Sequence, residues 1–281
     1  MKKDTLWLVL ATLAAAFTLF AAPAFASSGM APYQLGFQES VSPVADRIHE
    51  FHNMLLWIIS GITLFVLVLL VVVMARFNER ANPRPSTTTH NVPLEVVWTV
   101  VPVLILIIVA VPSLKLLYFT DRVENAELVV KVTGNQWNWD FEYPDHGELS
   151  YKSIMIAEKD IDISKGQHRL LSADYPMVIP VDTTVQFIIT ASDVLHSFAV
   201  PAFGIKVDAV PGRLNETWAK VTRTGTYYGQ CSELCGKDHA FMPIEIRVVP
   251  KEDFTAWIEA AQTKLITYDE FAAGRTAAIA E

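Results

Sequence analysis

The chain reads as a two-helix transmembrane hairpin followed by an all-β sandwich or barrel with a short C-terminal helix. Three observations carry this reading. Two long apolar runs, 54–75 and 96–114, fall before residue 120, and each is long enough as a helix to cross a bilayer core of about 30 Å. A short arginine-bearing segment joins them. Beyond residue 120 the hydrophobic period changes to two, in short runs separated by turn residues, which is the pattern of a sandwich.

Composition agrees. Of 281 residues 52% are hydrophobic, and the mean hydropathy of +0.31 is high for a purely water-soluble protein. The net charge is −8. Residues 121–281 hold 24 Asp+Glu against 15 Lys+Arg, a net of −9, so the acidity belongs to the soluble part. Nucleic acid is excluded as an expected partner, and a basic protein fits.

In chain order, Met1-Lys2-Lys3 precedes an apolar stretch and then Ala24-Phe25-Ala26. This is the pattern of a signal peptide, 1–26, cut after Ala26, with an uncleaved anchor helix as the alternative. Segment 27–120 comprises an irregular lead-in and the hairpin. Between the spans, Arg76, Arg80 and Arg84 face a lone Glu79, and short positive loops stay in the cytoplasm. Pro83, Pro85 and a Ser/Thr cluster mark this loop as a connection. Pro102 and Pro112 lie inside the second run, where a membrane helix tolerates them. Two crossings return the chain to the outside. Glu95 opens the second span beside Trp98. It is either a headgroup-level carboxylate or an ionisable group feeding a proton path in a partner.

The soluble domain is expected over 121–262, with a poorly anchored tail over 263–281. Trp137, Trp139, Phe141 and Tyr143 alternate with Asn138, Asp140 and Glu142, which predicts a strand with one aromatic face. Further strands are expected at 127–134, 151–156, 184–190, 196–200, 215–221, 226–230 and 243–249, and a short amphipathic helix at 251–261.

The chemistry concentrates in Cys231-Ser232-Glu233-Leu234-Cys235-Gly236-Lys237-Asp238-His239-Ala240-Phe241-Met242, which holds both cysteines of the chain. His196 lies upstream. Thiolate, imidazole and thioether together favour copper over hard cations. A disulfide between the two cysteines leaves His239 and Met242 without a reason, and zinc does not usually take methionine. Two cysteines four positions apart can bridge a pair of coppers, with one histidine for each metal, Met242 as a weaker ligand and a loop carbonyl as another. Gly236 is expected to permit a backbone turn closed to other residues.

This loop resembles the copper A loop of subunit II of the haem–copper cytochrome c oxidases. So do Val194-Leu195-His196-Ser197-Phe198-Ala199-Val200-Pro201, Pro211-Gly212-Arg213-Leu214-Asn215, Gly134-Asn135-Gln136-Trp137-Asn138-Trp139 and, in the hairpin, Glu95-Val96-Val97-Trp98. The resemblance covers roughly residues 45–262. It implies a cupredoxin-like domain outside the inner membrane of a bacterium. The implied dinuclear copper ligands are His196, Cys231, the backbone carbonyl of Glu233, Cys235, His239 and Met242. The Glu233 side chain would reach a magnesium ion shared with subunit I. Trp137 would receive the electron from cytochrome c. Glu142, Asp145, Glu148 and Asp193 would dock that basic donor, and Glu95 would stand at the mouth of a proton path. Oxygen reduction and proton pumping would belong to subunit I. No haem is expected on this chain, which lacks a Cys-x-x-Cys-His motif.

Overall fold

The apolar runs form α1 (Pro43–Arg76) and α2 (Val92–Asp121). The structure, a computed structural model, describes residues 34–280 except 122, 124 and 148. The expected signal peptide with its cut after Ala26, and Glu148, lie outside the described residues. Pro43 sits at the first helical position of α1, where its missing N–H costs nothing. The Ser42 hydroxyl caps the helix by accepting from the Ala45 N–H at 3.0 Å, and it donates to the Phe203 carbonyl at 2.7 Å. The start of α1 is therefore tied to the soluble domain. No residue in the most apolar window of either helix is buried inside the protein, as expected of side chains whose solvent is lipid. Pro102 and Pro112 fall within a continuous α2.

Among the described residues ten strands follow: β1 (Leu128–Asn135), β2 (Asn138–Tyr143), β3 (Leu149–Ser153), β4 (Met177–Pro180), β5 (Thr184–Ala191), β6 (His196–Val200), β7 (Ile205–Ala209), β8 (Asn215–Lys220), β9 (Gly225–Cys231) and β10 (Pro243–Val249). They form two five-stranded sheets, ordered β3-β2-β1-β5-β8 and β4-β10-β9-β6-β7. The pairs β1/β5 and β4/β10 are parallel, and the remaining pairs are antiparallel. Burial alternates strictly along β1, β2 and β5, so one face of that sheet meets the other sheet. Trp139, Phe141, Phe187, Phe198 and Ile244 fill the space between.

Four expectations need correction. The aromatic strand begins at Asn138, and Trp137 lies in the turn before it, so only Trp139, Phe141 and Tyr143 form its buried face. Strand 151–156 is displaced to Leu149–Ser153. β4 and β7 were not anticipated. The tail is not loose: after α3 (Lys251–Thr263) it forms α4 (Tyr268–Ala280). Ion pairs Arg275–Asp253 at 2.6 Å and Arg247–Asp269 at 2.7 Å hold α4 to the domain, and Tyr268 and Phe271 pack on the core.

Candidate metal centre

At one end of the sandwich, β9 delivers Cys231 and β10 begins at Pro243, so the intervening loop is anchored at both ends by paired strands. His196 opens β6, and Phe198 on that strand lies opposite Cys231 on β9. Gly134 on β1 makes room for the His196 ring. A Cβ there would meet ring atoms at 3.0 Å, so a side chain would displace the imidazole.

The donor atoms converge. The sulfurs of Cys231 and Cys235 are 3.9 Å apart, and both thiols are free and buried. Cys231 Sγ faces His196 Nδ1 at 3.9 Å and the Glu233 carbonyl at 3.3 Å. Cys235 Sγ faces His239 Nδ1 and Met242 Sδ, each at 3.5 Å. His196, Cys231 and Cys235 bring their ligand atoms within 4.8 Å of one another. All six donors read from the sequence thus meet in one place. Glu233 itself is exposed.

The electrostatics suit a cation. Burial pushes the Cys231 thiol up, but hydrogen bonds with the His196 ring and the loop backbone outweigh it and bring the pKa down to about 6. Burial and the neighbouring Cys231 sulfur push Cys235 up to about 12. Two adjacent thiolates repel, so both ionise together only when positive charge lies between them. The Glu233 carbonyl and Met242 sulfur add neutral donors. This set fits a soft metal.

Residues whose supporting role the sequence did not reveal surround the donors. Asp193 accepts from His196 Nε2 at 2.9 Å, from the Gln136 N–H at 2.7 Å and from the Val194 N–H at 2.6 Å. A carboxylate only accepts, so Nε2 carries a hydrogen; when His196 is neutral, as a metal ligand must be, Nδ1 then holds the lone pair, whereas the charged ring donates from Nδ1 to the Cys231 sulfur. Burial opposes charge on both partners, but their mutual hydrogen bond helps hold Asp193 below and His196 above its ordinary pKa. Gln136 donates from Nε2 to the Cys235 carbonyl at 2.8 Å, and buried Trp139 donates to the Met242 carbonyl at 3.2 Å. The Asn-Gln-Trp-Asn-Trp run was the visible signal, though nothing in it named these partners.

Trp137 is half-buried against the loop. Gly236 has φ 127°, in the region that glycine alone tolerates well, and a Cβ there would lie 2.9 Å from the Trp137 ring. Lys237 lies over the same ring, its Nζ 5.7 Å from the centroid. The remaining sites are elsewhere. Glu142 is paired with Lys131 at 2.8 Å, and Asp145 accepts from the Val129 N–H at 3.2 Å. Glu142 lies four positions along β2 from Asn138, about 14 Å by strand rise from the end of the strand that Trp137 precedes. Glu95 lies in the first turn of α2 and accepts from the Asn91 N–H at 3.3 Å.

Fold and site together define a class of membrane-anchored, cupredoxin-like proteins with a loop of soft-metal donors on a rigid β frame. Comparison with known proteins narrows this. Residues 128–249 match the family of the cytochrome c oxidase subunit II periplasmic domain, and residues 30–116 match that of its transmembrane domain. The chain is 50% identical over 252 residues to a probable cytochrome c oxidase subunit 2 of Rickettsia bellii (strain RML369-C), covering 90% of this chain and 92% of that one. It is 45% identical over 248 residues to cytochrome c oxidase subunit 2 of Cereibacter sphaeroides, covering 82% and 81%. Among solved structures, the periplasmic domain of subunit II of cytochrome oxidase (CoxB) of Bradyrhizobium japonicum is 51% identical, with a TM-score of 0.48, covering 52% of this chain and 100% of that one. The chain belongs to the cytochrome c oxidase subunit II family. It is part of a haem–copper terminal oxidase, with two membrane helices and a periplasmic domain.

Proposed function

We propose that this chain is the electron-accepting subunit of its oxidase. It takes electrons from reduced cytochrome c at a dinuclear copper A centre and delivers them to haem in subunit I, where oxygen is reduced to water and protons are pumped. The observation that carries this reading is the meeting of two thiols, two imidazoles, a thioether and a carbonyl in one buried loop. Copper held there would supply reversible one-electron exchange.

The chain's own residues do the rest. Cys231 and Cys235 would hold the copper through their sulfurs, His196 and His239 through a nitrogen each, and Met242 and the Glu233 carbonyl as weaker donors. Strand ends and the Asp193, Gln136 and Trp139 hydrogen bonds hold the donors still. Small geometric change on oxidation and reduction keeps electron exchange fast. Trp137 is the natural point of electron uptake, since it is partly exposed and packs on the loop beside Cys235. The exposed Glu233 side chain is free to reach a magnesium ion shared with subunit I. For docking the basic donor we retain Glu142, Asp145, Glu148 and Asp193. Asp193 supports a second role, that of orienting His196. Glu95, at the cytoplasmic end of α2, would admit protons to a path in subunit I.

Electron paramagnetic resonance on the oxidised, copper-loaded domain 121–281 tests the reading. One spin shared by two equivalent copper nuclei is expected, and a single-nucleus pattern would refute the paired centre. In the intact oxidase, Trp137→Phe should slow reduction by cytochrome c while leaving that spin signal unchanged. A normal reduction rate would remove Trp137 from the path.

A further inference from the structure

A second charged feature lies where the hairpin meets the sandwich. Trp218 on β8 donates its indole N–H to the Phe119 carbonyl in the last turn of α2 at 3.1 Å, and the two rings meet edge-on at 5.2 Å. The Arg47 guanidinium, on α1, stacks 3.4 Å from the Phe119 ring centroid. Arg47, Tyr118, Phe119, Trp218 and Lys220 line a cavity of about 470 Å³. Its lining holds two cations and no carboxylate. Among the described residues neither Arg47 nor Lys220 forms an ion pair. Glu127, which feels the Lys220 charge, is held by Lys251 at 3.5 Å.

The depth of this cavity matters. Tyr118 follows the second apolar run by four residues, and Arg47 precedes the first by seven. At the helical rise, these positions stand about 6 and 10 Å beyond the hydrocarbon, among the lipid headgroups. Tyr and Trp favour this level because one end of each ring is apolar and the other wet. The soluble domain around it is acidic, net −9 over 121–281. Its overall field repels anions, so any anion held here is held by the local pair of cations.

We propose that this cavity binds the phosphate of an anionic phospholipid from the outer leaflet, clamped between Arg47 and Lys220, with Tyr118 and Trp218 against the glycerol region. A zwitterionic headgroup would bring a second, positive group that finds no carboxylate in the lining. The bound lipid would bridge α1 and β8 and fix the tilt of the domain on the membrane.

The test uses the intact oxidase in lipid nanodiscs, with phosphatidylglycerol or phosphatidylcholine as probe and retained lipid counted by native mass spectrometry. Phosphatidylglycerol should be retained in preference. Lys220→Gln should lower its occupancy about fivefold, and Arg47→Gln with Lys220→Gln further by a similar factor. Lys152→Gln, on β3 at the far edge of the same sheet, should change nothing. Because Arg47 also packs on Phe119, Lys220→Gln alone is read first, with the paired-copper signal as the check on folding. Equal retention of both lipids, or no loss in the double variant, would overturn the proposal. So would release of phosphatidylglycerol by inorganic phosphate alone, which would make this a free-phosphate site. Loss of partner subunits with lipid occupancy unchanged would make the surface a subunit contact and overturn it equally.

Discussion

The two ends of the sandwich bury polar groups in opposite ways. At the end capped by α3, the Tyr143 hydroxyl accepts from the Val178 N–H at 3.0 Å and donates to the Val178 carbonyl at 2.9 Å, with the Tyr151 hydroxyl 3.2 Å away. Tyr151 in turn donates to the Pro176 carbonyl at 3.1 Å. Trp257 and Phe254 close over both rings, and burial raises both phenols well above their ordinary range. Both phenol hydroxyls there find partners within the chain. At the other end, sulfurs and ring nitrogens face one another at 3.5–3.9 Å, distances at which thiols bond weakly. That cluster gathers the donors that a soft cation takes, and it is the end to which the proposed function belongs.

The contrast can be broken most directly by Cys231→Ser. It should abolish the paired-copper spin signal and lower the copper-to-protein ratio of the soluble domain, while urea unfolding of the metal-free domain shifts by no more than about 1.5 kcal/mol. A large loss of metal-free stability would mean that the loop holds the fold together by itself. Trp257→Ala should do the converse. It should cost about 3–5 kcal/mol in urea unfolding, yet the folded fraction should bind copper in full. If it lost copper, the two ends would be coupled and the comparison would fail. A smaller effect should come from Asp193→Asn, which removes the carboxylate that fixes the His196 tautomer. Copper affinity measured by chelator competition should fall about 10–100-fold, with little change in stability. Unchanged affinity would return Asp193 to a docking role alone.

Some of this was open to inspection in the chain. β6 and β10 form where 196–200 and 243–249 were expected. In β6 the branched and aromatic residues sit between clear turn cues. β4 escaped because Met177, Val178, Ile179 and Pro180 are all buried, so no alternation marks it. β7 escaped because it is short and its exposed Lys206 and Asp208 read as loop. The period-two reading carried Trp137 onto the strand because alternation cannot tell a turn residue from the strand it precedes. α4 has no amphipathic pattern to read, and it is held from outside by Asp253 and Arg247.

What the sequence alone determined is therefore the hairpin, the β character of the domain and the six candidate donors that the fold brings together. Each is a local property: the length of an apolar run, a hydrophobic period, a spacing of sulfur and nitrogen within one loop and one strand start. Only the tertiary structure decided what supports those donors. Asp193 meets Gln136 across 57 residues, Gln136 meets Cys235 across 99, and Trp139 meets Met242 across 103. The joint of Arg47, Phe119 and Trp218 is likewise assembled from three distant segments. Hydrogen bonds and ring contacts depend on distances of a few ångströms, and between remote segments those distances are set by how the sheets and helices pack.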